Sequence, residues 1–90
     1  METARKKYSV TTTRNSEYER YYSDIKVLFV SHDGKFWRYL GQHEQAPALE
    51  RMAKRRLEIM GYTSLRFQIK TGTGILVEFG TIKERTLNNG

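Results

Sequence analysis

Aromatic and cationic side chains lie close together in residues 25–41 and 64–79 of this chain. That pairing can grip single-stranded nucleic acid, because bases stack on rings while lysine and arginine neutralise phosphate. Folding residues 25–41 as a tight hairpin puts Leu28, Val30, Trp37 and Tyr39 on one face, with Lys26 at its end. Arg66, Gln68, Lys70 and Leu76 are expected beside them. Such a face also suits a protein partner, since Leu28 and Val30 are apolar and aromatics such as Trp37 and Tyr39 anchor interfaces.

A second group is the run Arg51, Lys54, Arg55 and Arg56. On a helix, Arg51, Lys54 and Arg55 share the outer face with Glu50 and Glu58, and self-pairing at i,i+4 spacing accounts for them. Arg56 is different, because its direction falls near the centre of the apolar stripe between Leu49 and Met60. Burying it unpaired is costly, so an internal partner is expected, with Asp24, Glu44 or Glu78 the candidates. His32 flanks a turn and His43 lies in a polar loop, and neither has the third ligand a metal site needs. The residues of a small nuclease (histidine, arginine, tyrosine) are present, but without spacing that singles them out. Gly72-Thr73-Gly74 is a hairpin turn rather than a phosphate cradle, because no helix start follows it. No catalytic, metal or cofactor signature emerges.

Composition bounds these readings. Ninety residues make one domain with a single modest core. There are no cysteines, so disulfides and thiolate metal sites are both ruled out. The longest apolar stretch is strand-sized, which predicts no membrane span and a cytoplasmic setting. The net charge of +6 invites a nucleic-acid partner. Block by block, basic and acidic residues number five and three in 1–22, three and three in 23–45, four and two in 46–61, and four and two in 62–90. Read along the chain, the excess is diffuse, and diffuse basicity commonly serves solubility. Arg5, Lys6, Lys7 and Arg14 form a basic arm that solubility also explains.

The elements follow from pattern. Tyr8, Val10 and Thr12 alternate with polar residues as an edge strand does. Ser16 and Glu19 have capping-box spacing, which competes with an extended reading through Tyr18, Tyr21 and Tyr22. Residues 25–32 and 36–41 read as a hairpin closed by Asp33-Gly34 in a type I′ turn, pairing Val30 with Trp37 and Leu28 with Tyr39. Pro47 suits the first turn of a helix over 46–60, and Gly61 its left-handed end. Leu65, Phe67 and Ile69 return through a three-residue loop, with Gly74 left-handed, to Ile75, Val77 and Phe79.

The predicted fold is α+β and two-layered, in the order ββ-α-ββ. Its antiparallel sheet has four strands, or five with the N-terminal edge, and one helix across one face. The helix is expected on Val27, Phe29, Phe67, Ile69, Val77 and Phe79. Residues 1–7 and 84–90 are expected to be flexible ends of the one domain, and Tyr8, Val10, Tyr18 or Tyr22 could cover the other face. The predicted function is a non-enzymatic binding module or regulator that uses the uncovered sheet face, with RNA or single-stranded DNA the preferred partner. The alternative is a protein-interaction module, inhibitor or assembly subunit, including a homodimer through that face. A small nuclease ranks third, and no cofactor or metal is expected.

Overall fold

A computed structural model describes residues 7–85. Five strands form one antiparallel sheet: β1 (Lys7–Arg14), β2 (Lys26–Ser31), β3 (Arg38–His43), β4 (Ser64–Thr71) and β5 (Leu76–Arg85). Their spatial order is β1-β5-β4-β2-β3, and the single helix α1 (Ala46–Met60) crosses one face. The α+β fold and the N-terminal edge strand agree with the sequence. Of the ends expected to be flexible, residues 1–6 and 86–90 lie outside the described residues, whereas Lys7, Glu84 and Arg85 belong to strands.

Helix α1 forms where its residues dictate. Pro47 sits in its first turn, and Gly61 ends it at φ 72°, a conformation costly for any residue with a Cβ. Leu49, Ala53 and Leu57 are buried from its inner face against Leu28, Val30, Leu65, Phe67, Ile69 and Ile82 of the sheet. Tyr8, Val10 and Tyr18 pack on the same core, so residues 7–22 close its flank and leave the other sheet face open. A 3₁₀ turn over Tyr18–Tyr21 resolves the competing readings of that segment. Ser16 does not cap it; the Asn15 side chain instead accepts from the Glu17 N–H at 2.8 Å.

The β2–β3 register differs from expectation. Asp33 does not adopt positive φ, so there is no type I′ turn. Its carboxylate instead accepts from the N–H groups of Lys35 and Phe36 and from the Ser31 hydroxyl, building a wider loop over residues 32–37. The wider loop slips the pairing by one residue, setting Phe29 against Tyr39 and Val30 against Arg38, and a bulge at Leu28/Phe29 slips it once more, setting Leu28 against Gly41. Because side chains alternate, a one-residue slip exchanges the faces. Leu28 and Val30 therefore lie under the helix, and Val27 and Phe29 lie on the open face. A second bulge, at Ile69/Lys70, does the same to β5: Phe79 turns outward and Glu78 turns in. The tight loop at Gly74 is as expected, with φ 95° and the Thr71 N–H donating to the Ile75 carbonyl at 2.9 Å.

Candidate functional site

The open sheet face is built by strand alternation. Across its middle run Thr13, Phe79, Gln68, Phe29 and Tyr39, one from each strand and each paired with the next. Tyr39 and Phe79 are largely exposed, and Phe29 meets Tyr39 edge-to-face with ring centroids 6.1 Å apart. On one side of this row lie Thr11, Thr81 and Arg66, and on the other Lys70, Val27 and Gln42. Lys70 Nζ stands 5.5 Å from the Phe29 ring centre, within cation–π range.

Trp37 belongs to the loop ahead of β3, and with Arg66, Gln68, Phe79, Thr11, Thr13 and Thr81 it lines an open groove of about 340 Å³. The loop is held over β4 by contact: the Arg66 guanidinium lies against Gly34, whose φ of 78° already favours glycine. Gly80 has a related role, because a Cβ there would strike the Thr11 carbonyl and the Phe67 ring. It lets β1 approach β5 closely enough to extend the platform.

The charge on this face is one-sided. Lys7, Lys83, Arg85, Arg66 and Lys70 project from it, and no strand residue on it is acidic. The strand carboxylates, Glu78 and Glu84, alternate to the opposite side. A charge that is diffuse along the chain is thus sorted in space. Asp33, in the loop, is held at about 2 by the N–H groups of Lys35 and Phe36, so its charge is spent on the loop itself.

Of the predicted face, Trp37, Tyr39, Arg66, Gln68 and Lys70 do assemble here. Lys26, Leu28 and Val30 do not: all three are buried on the helix side. Lys26 is only 1% exposed, and its ammonium donates to the carbonyls of Tyr22, Asp24 and Glu44 at 3.0, 2.9 and 2.7 Å. Burial pulls its pKa down, while the three carbonyls satisfy all three donors. It is a structural bolt between the 3₁₀ turn, β2 and the entry to α1. Phe29 and Phe79 are the members of the site that sequence reasoning put on the wrong face.

The other charged groups stand apart. Arg51 and Arg55 are exposed and Lys54 is half-buried on α1, away from the open face. The expected Glu50–Lys54 and Lys54–Glu58 ion pairs do not form among the described residues. Glu50 instead faces the buried Glu78, which Arg14 Nε meets at 3.0 Å while its guanidinium lies over the Tyr18 ring. Burial, and then Glu50, raise the Glu78 carboxyl to about 7. Its second oxygen is buried without a hydrogen-bond partner among the described residues. Arg56 pairs with none of Asp24, Glu44 and Glu78. His43 Nδ1 accepts from the Gln45 N–H at 2.9 Å, and His32 stacks on Tyr62 with ring centroids 4.8 Å apart.

Among the described residues no group of three histidine or acidic side chains could hold a metal ion, and no helix is long and apolar enough to cross a membrane. Compared with protein-family models, curated proteins and solved structures, the chain matches none.

Proposed function

We propose that this protein is a non-enzymatic module that binds single-stranded nucleic acid on its open sheet face. The observation that carries the reading is the aromatic row Phe79–Phe29–Tyr39, with Trp37 lining the adjoining groove, flanked by Arg66 and Lys70, with Lys83, Arg85 and Lys7 further along the same face and no strand carboxylate on it. Exposed rings offer stacking surfaces for successive bases, each worth ~1–3 kcal/mol, and the cations follow the phosphates. Gln68, Thr11, Thr13 and Thr81 supply neutral hydrogen-bonding groups between them. The same rings on a face meant for a protein partner would sit in an apolar centre, with charge kept to the rim. Here the middle row itself holds Gln68 and Thr13 between its rings, and Arg66 and Lys70 stand directly on either side of Gln68 along β4.

The test is quenching of Trp37, the only tryptophan, by oligouridylate or oligothymidylate at low salt. Saturable quenching is expected, weakening steeply as salt rises, and Phe79→Ala should lower affinity at least fivefold without unfolding the protein. Absence of binding at low salt overturns the reading. Light scattering that reports a dimer joined through this face, with no oligonucleotide binding, replaces it with self-association.

A further inference from the structure

On the opposite side of the 32–37 loop from the groove is a second cavity, of about 220 Å³. Its polar wall includes Ser31, His32, Arg38 and Arg56, with Tyr62 stacked on His32, and no acidic residue lines it among the described residues. Its apolar wall includes Phe36, which is 76% exposed, and Met60. We propose that this cavity is a binding site for a phosphate monoester carried by a nucleotide.

The starting point is Arg56. It is half-buried on the inner side of α1, and among the described residues no carboxylate pairs with it. The carboxylates that sequence placed nearest are elsewhere: Glu78 is taken by Arg14 and Glu50, and Asp24 and Glu44 flank Lys26 through their carbonyls. Arg38 also lacks an ion-pair partner among the described residues. Two arginines lining one cavity with no acidic residue among its described lining form an uncompensated positive site, and a forked guanidinium matches the oxygens of phosphate. His32 is held against Tyr62 and adds a ring N–H to the same wall. The cavity is larger than a phosphate needs, and the exposed Phe36 ring beside it offers a flat surface for a base or sugar.

Two sources supply such a group: a free nucleotide, or the phosphorylated end of a strand lying on the open face. Phe36 faces the cavity and its neighbour Trp37 faces the groove, so the loop separates the two sites by one residue. The second source rests on the proposed function, whereas the first does not.

The experiment is an NMR titration of the full chain that follows the His32, Tyr62 and Trp37 ring resonances. The probes are inorganic phosphate, adenosine monophosphate, adenosine, and one oligonucleotide with either a 5′-phosphate or a 5′-hydroxyl. Adenosine monophosphate should shift His32 and Tyr62 saturably, more tightly than inorganic phosphate, while adenosine does not. Arg56→Gln and the exposed-site variant Arg38→Gln should each weaken it at least tenfold. Unmoved His32 and Tyr62 resonances, or undiminished binding in both variants, overturn the cavity. If a terminal phosphate does not tighten oligonucleotide binding, free nucleotide is the source. An oligonucleotide that moves Trp37 while adenosine monophosphate moves nothing sinks the cavity and leaves the proposed function standing. The reverse pattern sinks the proposed function alone.

Discussion

The two faces of the sheet are made by the same five strands, yet they treat charge in opposite ways. Under α1 the two fully buried strand charges are held within the chain: Lys26 spends its protons on three carbonyls, and Glu78 meets Arg14 and faces Glu50. On the open face, cations lie among exposed rings with no strand carboxylate to answer them. Inside the fold a charge must find its partner within the chain, because desolvation penalises any that does not. Outside, a one-signed array is tolerated by water and satisfied by a ligand of opposite sign.

The sharpest way to break this comparison is to truncate neighbours on one strand. Leu28 is fully buried against α1, while Phe29, next in sequence, stands on the open face. Leu28→Ala should cost about 2–5 kcal/mol of stability, through lost burial and the cavity left behind. Phe29→Ala removes one edge-to-face contact and should cost about 1 kcal/mol, while lowering oligonucleotide affinity. Urea denaturation of both variants measures the difference, and equal midpoints would mean the assignment of faces is wrong.

That pair of residues also marks where the sequence stops being legible. The bounds and buried stripe of helix α1 could be read, since Pro47, Gly61 and Leu49, Ala53 and Leu57 are local signals. Met60, counted in that stripe, is however exposed, and the expected partners of Lys54 and Arg56 do not form among the described residues. The Gly74 loop was equally readable. The faces of β2 and β5 were not, because β2 is offset from β3 by the wide 32–37 loop and β5 from β4 by a bulge, and both come from fit across the chain rather than from residue pattern. The Asp33 side chain added to the error by organising a six-residue loop where Asp-Gly suggested a two-residue turn. Lys26 was misread for another reason: its three carbonyl partners come from Tyr22, Asp24 and Glu44, and no motif advertises backbone oxygens. The one-sided charge was invisible to a count by blocks, because neighbouring strand residues such as Lys83 and Glu84 cancel in sequence and separate in space.

The helix side should also show a pH signature that the open face lacks. The Glu78 carboxyl, near 4.5 in an unfolded chain, is raised to about 7 by burial and by Glu50. The native state therefore holds a proton that the unfolded chain releases earlier. This contribution is fully present below about pH 4.5 and is lost as pH rises through about 7, an effect on the order of 3 kcal/mol. Asp33, lowered to about 2, works in the reverse direction and in a separate window, losing its contribution only as pH falls below its ordinary 3.8. Thermal melts should thus show wild-type stability declining between about pH 5 and 8. Glu78→Gln keeps a neutral group there and should flatten that decline. A wild-type profile as flat as the variant's would mean that the Glu78 carboxyl is not raised in the native state.

The smallest energetic effect is the most discriminating for function. Arg66, Lys70 and Lys83 project from the open face, and Arg51 from the outer surface of α1, so replacing any of them with glutamine should change stability by under about 0.5 kcal/mol. Their effects on binding should differ in kind. Each phosphate contact to a single strand contributes about 0.7 to the slope of log affinity against log salt. Arg66→Gln and Lys70→Gln, which flank the aromatic row, should each reduce the slope by about that amount, and adding Lys83→Gln should bring the total loss to about 2. Arg51→Gln should leave it unchanged, although Arg51 belongs to the densest run of basic residues in the chain. Equal slope losses from both sides would mean that oligonucleotides respond to net charge alone. The sorting of cations by strand alternation would then have no bearing on what the protein binds.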